Sequence, residues 1–225
     1  MNYVTDMLYH CRDEKYRNFT TGLIPNINKD TVLGVKIPEL RKIAKEIVRK
    51  ERAKEFLEEL PHQYYEENQI HSFIIDYGKY SFEETIRLTE VFLPYIDNWA
   101  VCDSFKPGVL KKNAKQLLPY IEKWLKSDRT YTIRYAYVLL LNWYLDDNFD
   151  KDILEKAATV KSGEYYVRTA EAWFFSMALV KQYDCTIIYL EEKILDPDVH
   201  KKTIQKAIES RQIDNRTKEY LRTLK

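Results

Sequence analysis

Three similar six-residue stretches in the second half of the chain decide the fold: residues 131–136 read YTIRYA, residues 165–170 read YYVRTA and residues 202–207 read KTIQKA. The alanines that end the copies are 34 and 37 residues apart. An amphipathic helix and a turn-like dipeptide precede each copy, so each period holds two helices. Such a period predicts an all-α fold, an α-solenoid of two-helix repeats that forms a single curved domain over residues 1–225.

The composition favours a helical fold and makes one class of function unlikely. Five of the 225 residues are glycine, which favours helices joined by short connections. The 36 basic and 35 acidic residues give a net charge of +1. That balance argues against a protein that coats polyanions, although it leaves a local basic groove open.

Features that would direct the chain to a membrane or out of the cell are missing from the sequence. It has no run of 18 apolar residues and no signal-like N-terminus, so we expect no membrane association. Cys11, Cys102 and Cys185 are far apart and odd in number, which predicts reduced thiols and a cytoplasmic protein. We also expect a monomer.

Local patterns predict where several helices begin and end. Apolar residues recur at helical spacing over residues 40–48, just after Pro38, which suits a first helical turn. Residues 109–126 have one apolar face and one lysine-rich face, which predicts a single continuous helix. Ser81 and the Asp196–Pro197 pair are predicted to begin helices as caps.

The motifs of several enzyme classes are missing. The glycines do not form a phosphate-binding loop, and neither the four histidines nor the cysteines have metal-ligand spacing. We therefore expect no cofactor and no metal. His71 lies in an apolar helix and is predicted to be a hydrogen-bonded core residue. Three pairs of adjacent acids are predicted to lie on solvated helix faces: Glu58–Glu59, Glu66–Glu67 and Asp146–Asp147.

The segment 96–105, IDNWAVCDSF, is the strongest candidate site. Asp97 or Asn98 can cap a short helix, which places Trp99 and Asp103 one turn apart on the same face. The carboxylate has apolar neighbours in sequence rather than a solvated stripe. The alternative is structural: Asp103 pairs with a basic residue of the next repeat, and Trp99 fills the core.

Arg134 and Arg168 occupy the same position in successive repeats. Their side chains are therefore predicted to line up along one concave surface. The alternative is that each arginine pairs with an acidic neighbour.

Four stretches together resemble the AlkD-like DNA alkylation-repair glycosylases, an all-α family built from HEAT-like repeats. Residues 32–41, VLGVKIPELR, are similar to that family's N-terminal signature. Trp99 and Asp103 match its Trp-x-x-x-Asp motif. Arg134 falls on the family's arginine of the next repeat, and Trp173 on its second active-site tryptophan.

The resemblance, which covers roughly residues 32–210, implies hydrolysis of the N-glycosidic bond of cationic N3- or N7-alkylpurines in double-stranded DNA. It makes Asp103 the catalytic carboxylate, which stabilises an oxocarbenium-like sugar. It also implies that Trp99 and Trp173 offer aromatic faces to the cationic lesion.

The same resemblance implies contacts with the DNA backbone. Arg134 would bind a phosphate beside the lesion, and Arg168 would extend that contact. Further backbone contacts are expected from four basic residues: Lys106, Lys111, Lys112 and Arg17.

One segment departs from the family pattern. Active members have a DNA-gripping helix where this chain has residues 16–30, which include Gly22, Pro25 and several asparagines. These residues predict a broken or shortened helix, as in a subgroup that lacks this recognition element. Tyr16, Arg17 and Phe19 are left to supply part of the grip.

Two functions of different classes follow. The first is an alkylpurine DNA glycosylase that uses Asp103. The second is a catalytically silent HEAT-repeat module that binds unusual DNA structures or a protein partner.

Overall fold

Helices make up the regular structure of the protein. A computed structural model describes residues 3–225, and within that range no strand occurs, which confirms the predicted all-α class. None of the helices in this part of the chain is both long enough and apolar enough to span a bilayer. The helices are α1 (Tyr3–His10), α2 (Glu14–Leu23), α3 (Ile37–Arg49), α4 (Ala53–Glu58), α5 (Tyr65–Tyr77), α6 (Phe82–Phe92), α7 (Trp99–Ser104), α8 (Gly108–Lys112), α9 (Ala114–Leu125), α10 (Thr130–Trp143), α11 (Asp152–Ala158), α12 (Tyr165–Lys181), α13 (Tyr183–Thr186), α14 (Ile188–Glu191), α15 (Pro197–Glu209) and α16 (Asn215–Thr223), with 3₁₀ turns at Lys29–Thr31 and Leu93–Tyr95.

The helices cluster into two units, one that ends at Asn113 and one that begins at Ala114. In the first unit α3 packs on α5 and α5 packs on α7, so these three helices follow one another in a layer. α1 packs against α3 and α5, while α4 and α6 pack against α5.

The second unit repeats this arrangement. α10 packs on α12 and α12 packs on α15, and these are the helices that carry the three similar sequence stretches. α9 packs against α10, α11 and α13 against α12, and α16 against α15. Each sequence copy therefore lies on one helix of a pair, next to the copy before it, as expected of two-helix repeats.

Several predicted helix starts are confirmed. The side chain of Ser81 caps α6 by accepting a hydrogen bond of 3.2 Å from a backbone N–H group. The side chain of Asp196 caps α15 in the same way, with a hydrogen bond of 2.9 Å. α3 has Pro38 in its first turn and buries one apolar stripe, made of Leu40, Ile43, Ala44 and Ile47.

The predicted single helix over residues 109–126 is wrong. The chain forms α8 and α9 instead, with Asn113 in a non-helical conformation between them. The Asn113 side chain donates a hydrogen bond of 2.8 Å to the carbonyl of Val109. Asparagine competes with helical hydrogen bonds in this way, and the division between the two units follows directly after it.

The prediction that Glu66–Glu67 lies on a solvated face is also wrong, whereas the other two acidic pairs are exposed. The Glu66 carboxylate is fully buried in α5. It accepts hydrogen bonds of 2.7 to 3.3 Å from the backbone N–H groups of three successive residues, Leu33 to Val35. Burial raises the pKa of Glu66, and these hydrogen bonds oppose the rise because they stabilise the ionised form.

Glu67 stabilises the start of the same helix. Its carboxylate accepts the backbone N–H groups of Gln63 and Tyr64 at 3.0 and 2.9 Å. It also accepts the hydroxyl of Thr5 in α1 at 2.9 Å. Both acids are thus buried because backbone groups or a hydroxyl satisfy their oxygens.

Gly34 packs against the first turn of α2. Its φ of +85° is in the left-handed region, and an added Cβ would lie 2.4 Å from the Asp13 carbonyl oxygen and 2.6 Å from the Arg17 Cβ. The Asp13 N–H donates to the Gly34 carbonyl at 3.0 Å. Only glycine fits this close approach between the 32–35 segment and α2.

We expect Gly34→Ala to lower the free energy of unfolding by about 2–4 kcal/mol, because it adds left-handed backbone strain and a clash with backbone atoms. Urea denaturation measures the change. The matched control is Gly163→Ala, since a Cβ there meets nothing within 4 Å and should change stability by less than about 0.5 kcal/mol. Equal stability of the two variants would contradict the role given to Gly34.

Candidate active site

The helix α7 carries the candidate catalytic pair. The buried side chain of Asn98 accepts the backbone N–H of Val101 at 3.0 Å, so of the two candidate caps it is Asn98 that begins the helix. Trp99 and Asp103 are both half-buried and stand one turn apart on this helix. The local geometry predicted from their spacing is therefore present in the first unit.

Two hydrogen bonds join the start of α7 to the end of α2. The Trp99 indole Nε1 donates to the carbonyl of Leu23 at 3.0 Å. The Asn26 amide donates to the carbonyl of Asp97 at 2.6 Å. The 23–26 turn therefore holds the indole of Trp99 in one orientation. As predicted, α2 is short, since it ends at Leu23 before Pro25.

α2 has aromatic side chains near its surface, and its arginine is hydrogen-bonded to backbone carbonyls of the same unit. Phe19 is 61% exposed, and its ring lies 6.2 Å from that of Tyr16. The Arg17 guanidinium donates to the carbonyls of Val32 and Lys29 at 2.8 and 3.0 Å. The expected contact of Arg17 with a DNA backbone stays a prediction.

The two repeat-equivalent arginines of the second unit each reach the next repeat. Arg134 in α10 is buried and donates to the Tyr166 carbonyl at 3.0 Å. Arg168 in α12 donates to the Asp198 carboxylate at 2.6 Å and to the Ser162 carbonyl at 2.9 Å. Pairing with an acidic neighbour, the alternative considered for both residues, is what Arg168 does.

α12 also carries Trp173, which is half-buried, and an unexpected acid. Glu171 is buried, and this burial, with the nearby charge of Asp196, raises its pKa to about 8. At neutral pH it is therefore largely protonated. The hydroxyl of Tyr137 donates to the carbonyl of Ala157 at 2.8 Å. A protonated carboxyl group can donate a hydrogen bond as well as accept one.

The predicted site residues are divided between the units. Trp99 and Asp103 lie in the first unit, as do three exposed lysines: Lys106, Lys111 and Lys112. Arg134, Arg168 and Trp173 lie in the second. Among residues 3–225, no group of three or more His, Cys, Asp or Glu side chains is arranged to hold a metal ion.

Sequence reasoning missed two features here. The 23–26 turn contacts residues more than 70 positions later in the chain, and no local pattern reports such a contact. Glu171 did carry a signal, because a lone acid in the apolar stretch 170–175, AEAWFF, indicates a buried carboxyl group.

A series of stacked rings packs against Phe105, the residue that ends α7. His62 and His71 share a hydrogen bond of 2.9 Å, which confirms His71 as a hydrogen-bonded core residue. Phe56 stacks on His62 at 4.5 Å and Phe92 stacks on His71 at 4.1 Å. Phe105, which ends α7, packs edge-on against Phe92 at 5.6 Å. The histidine pair is therefore connected by packing to the helix that carries Asp103.

Comparison with known protein families gives a match over most of the chain. A family model described as "DNA alkylation repair enzyme" matches residues 8–210 of the chain. Among curated proteins no match is found.

We expect the buried histidines to lower the free energy of unfolding as the pH falls from 7 to 5, while Glu171, whose pKa is raised to about 8, contributes in the opposite direction. Burial lowers the pKa of His62 to about 4 and that of His71 as well, so below pH 6.5 the unfolded chain binds protons that the folded protein does not. His62 alone should contribute about 2 kcal/mol to this loss. Urea denaturation at both pH values measures it. Compared with the wild type, His62→Gln should make the change in the free energy of unfolding from pH 7 to pH 5 more favourable by about 2 kcal/mol, whereas the exposed control His10→Gln should leave this change as in the wild type.

Proposed function

The chain belongs to the DNA alkylation repair enzyme family, and from this premise we propose that it hydrolyses the N-glycosidic bond of cationic alkylated purines in duplex DNA, with Asp103 as the catalytic carboxylate. The proposal is supported mainly by the hydrogen bonds that fix the start of α7. Asn98 begins the helix, and the Leu23 carbonyl orients the indole of Trp99. Asp103 follows one turn further along the same helix.

The chemistry needs little more than a positioned carboxylate. A purine alkylated at N3 or N7 carries a positive charge, so when the C1′–N bond breaks the electron pair leaves with the base, which becomes neutral. The sugar that remains is oxocarbenium-like, and the negative charge of Asp103 stabilises it. A water molecule oriented by Asp103 adds to C1′, and its proton passes to the carboxylate or to solvent. The products are the free alkylated base and an abasic site.

The other predicted residues fit binding roles in this reaction. Trp99 and Trp173 are half-buried tryptophans, and an indole face attracts a cationic purine. Lys106, Lys111 and Lys112 are exposed and suit phosphate contacts that position the duplex without reading its sequence.

We expect Asp103→Asn to lower the rate of base release from methylated duplex DNA about 10²- to 10³-fold, because the variant keeps the shape but loses the charge that stabilises the transition state. Chromatography of released N3- and N7-methylpurines measures the rate. DNA affinity should change less than about three-fold, since the carboxylate acts on the sugar rather than on the phosphates.

The control for this experiment is Asp147→Asn, an exposed aspartate in the second unit, which should release base at the wild-type rate. Equal rates for wild type and Asp103→Asn would contradict the proposal.

The engaged arginines favour a second function, that of a catalytically silent module that binds unusual DNA structures or a protein partner. Arg17 and Arg168 are held by carbonyls and carboxylates of their own units. Guanidinium groups occupied in this way bind phosphate less readily. The second function gains support if the wild-type protein binds alkylated duplex DNA but releases no base.

Arg168→Ala and Asp198→Ala together separate a structural role of Arg168 from a phosphate contact. If the Arg168–Asp198 pair is structural, each variant should lower the free energy of unfolding by about 0.5–1 kcal/mol and leave DNA affinity unchanged. If Arg168 binds phosphate, Arg168→Ala alone should weaken DNA binding and reduce its dependence on salt. Denaturation and fluorescence anisotropy at several salt concentrations measure the two effects.

A further inference from the structure

A row of tyrosine rings crosses the starts of neighbouring helices in the second unit. The ring of Tyr131 on α10 lies 5.6 Å from that of Tyr166 on α12, and Tyr165 packs edge-on against Tyr166 at 5.2 Å. Lys202 on α15 places its Nζ 4.7 Å from the centre of the Tyr165 ring. We call these four side chains the tyrosine row.

The tyrosine row is accessible to a ligand. Tyr165 is 61% exposed, and the other three side chains are half-buried. Adjacent aromatic rings that remain in contact with water form an apolar surface that is not buried in the folded protein. The ammonium of Lys202 lies beside the rings, so the surface suits a ligand that is both flat and negatively charged.

The charge around the row favours an anion. Lys161 and Lys201 are exposed near the starts of α12 and α15. Asp196 and Asp198 lie within 3.8 and 2.6 Å of the guanidinium of Arg168, which offsets one of their two negative charges, and Lys161, Lys201 and Lys202 outnumber the one that remains. Exposed Glu164, which directly precedes Tyr165, weakens this preference without reversing it.

We propose that the tyrosine row binds unpaired nucleotides of DNA, with bases stacked on the rings and Lys202 beside a phosphate. The choice of DNA as the occupant rests on the function proposed above, although none of these residues belongs to the Asp103 site. Bases inside a duplex have both faces covered by their neighbours, so an aromatic surface can stack only on bases that have left the helix. Every base has such a face, and the row therefore does not need a particular sequence.

The test uses the full-length protein and two fluorescein-labelled probes, a 15-nucleotide oligothymidine and a fully paired 15-base-pair duplex. Tyr165→Ala should raise the Kd for the single strand about 10-fold and leave the Kd for the duplex within two-fold. Tyr165→Phe, which keeps the ring, should bind the single strand as the wild type does. Lys202→Ala should lower the slope of log Kd against log salt by about 0.7.

Tyr220→Ala is the matched control, because Tyr220 is 41% exposed in the same unit and lies outside the row. It should bind both probes normally, and circular dichroism checks that every variant is folded. The proposal is overturned if the wild type does not bind the single strand, or if Tyr165→Ala binds it normally. An equal loss on both probes would also overturn it. Base release from methylated duplex is measured separately, so either proposal can fail without the other.

Discussion

The buried carboxylate of Glu66 is the interaction on which the candidate active site depends. It binds the backbone N–H groups of residues 33–35 and so fixes the segment that contains Gly34. That segment accepts hydrogen bonds from the first turns of α2, by way of the carbonyls of Gly34 and Val32. The far end of α2 supplies the carbonyl that orients Trp99. A buried carboxyl group is costly without hydrogen-bond partners, but one that accepts hydrogen bonds from three backbone N–H groups ties two segments together firmly.

The parts of the fold that could be predicted from the sequence are those that local spacing determines. The stripe in α3 and the caps at Ser81 and Asp196 depend on residues within one or two turns of each other. Glu66 was mispredicted because its donors lie more than 30 residues earlier in the chain, and a Glu–Glu pair looks solvated without them. The break at Asn113 was missed because periodicity on both sides of it continues in register.

In the candidate site, too, local spacing predicts the positions of residues but not their distant partners. The spacing of Trp99 and Asp103 was sufficient to place them one turn apart, because Asn98 provides the cap within the same segment. The repeat identified Arg134 and Arg168 as equivalent, and both do bridge to the next repeat. Their partners, a backbone carbonyl and a carboxylate, could not be derived from equivalence alone, since each arginine meets whatever the following repeat presents.

The sequence of residues 16–30 has a structural consequence for Trp99. The last carbonyl groups of any helix lack intrahelical partners, and a longer α2 would satisfy the Leu23 carbonyl with its own next turn. Pro25 cannot continue the helix, so α2 ends at Leu23 and this carbonyl is left to accept the indole N–H. The side-chain amide of Asn26 donates to the carbonyl of Asp97, just before α7 begins. The end of α2 at Leu23 therefore provides the acceptor that orients Trp99.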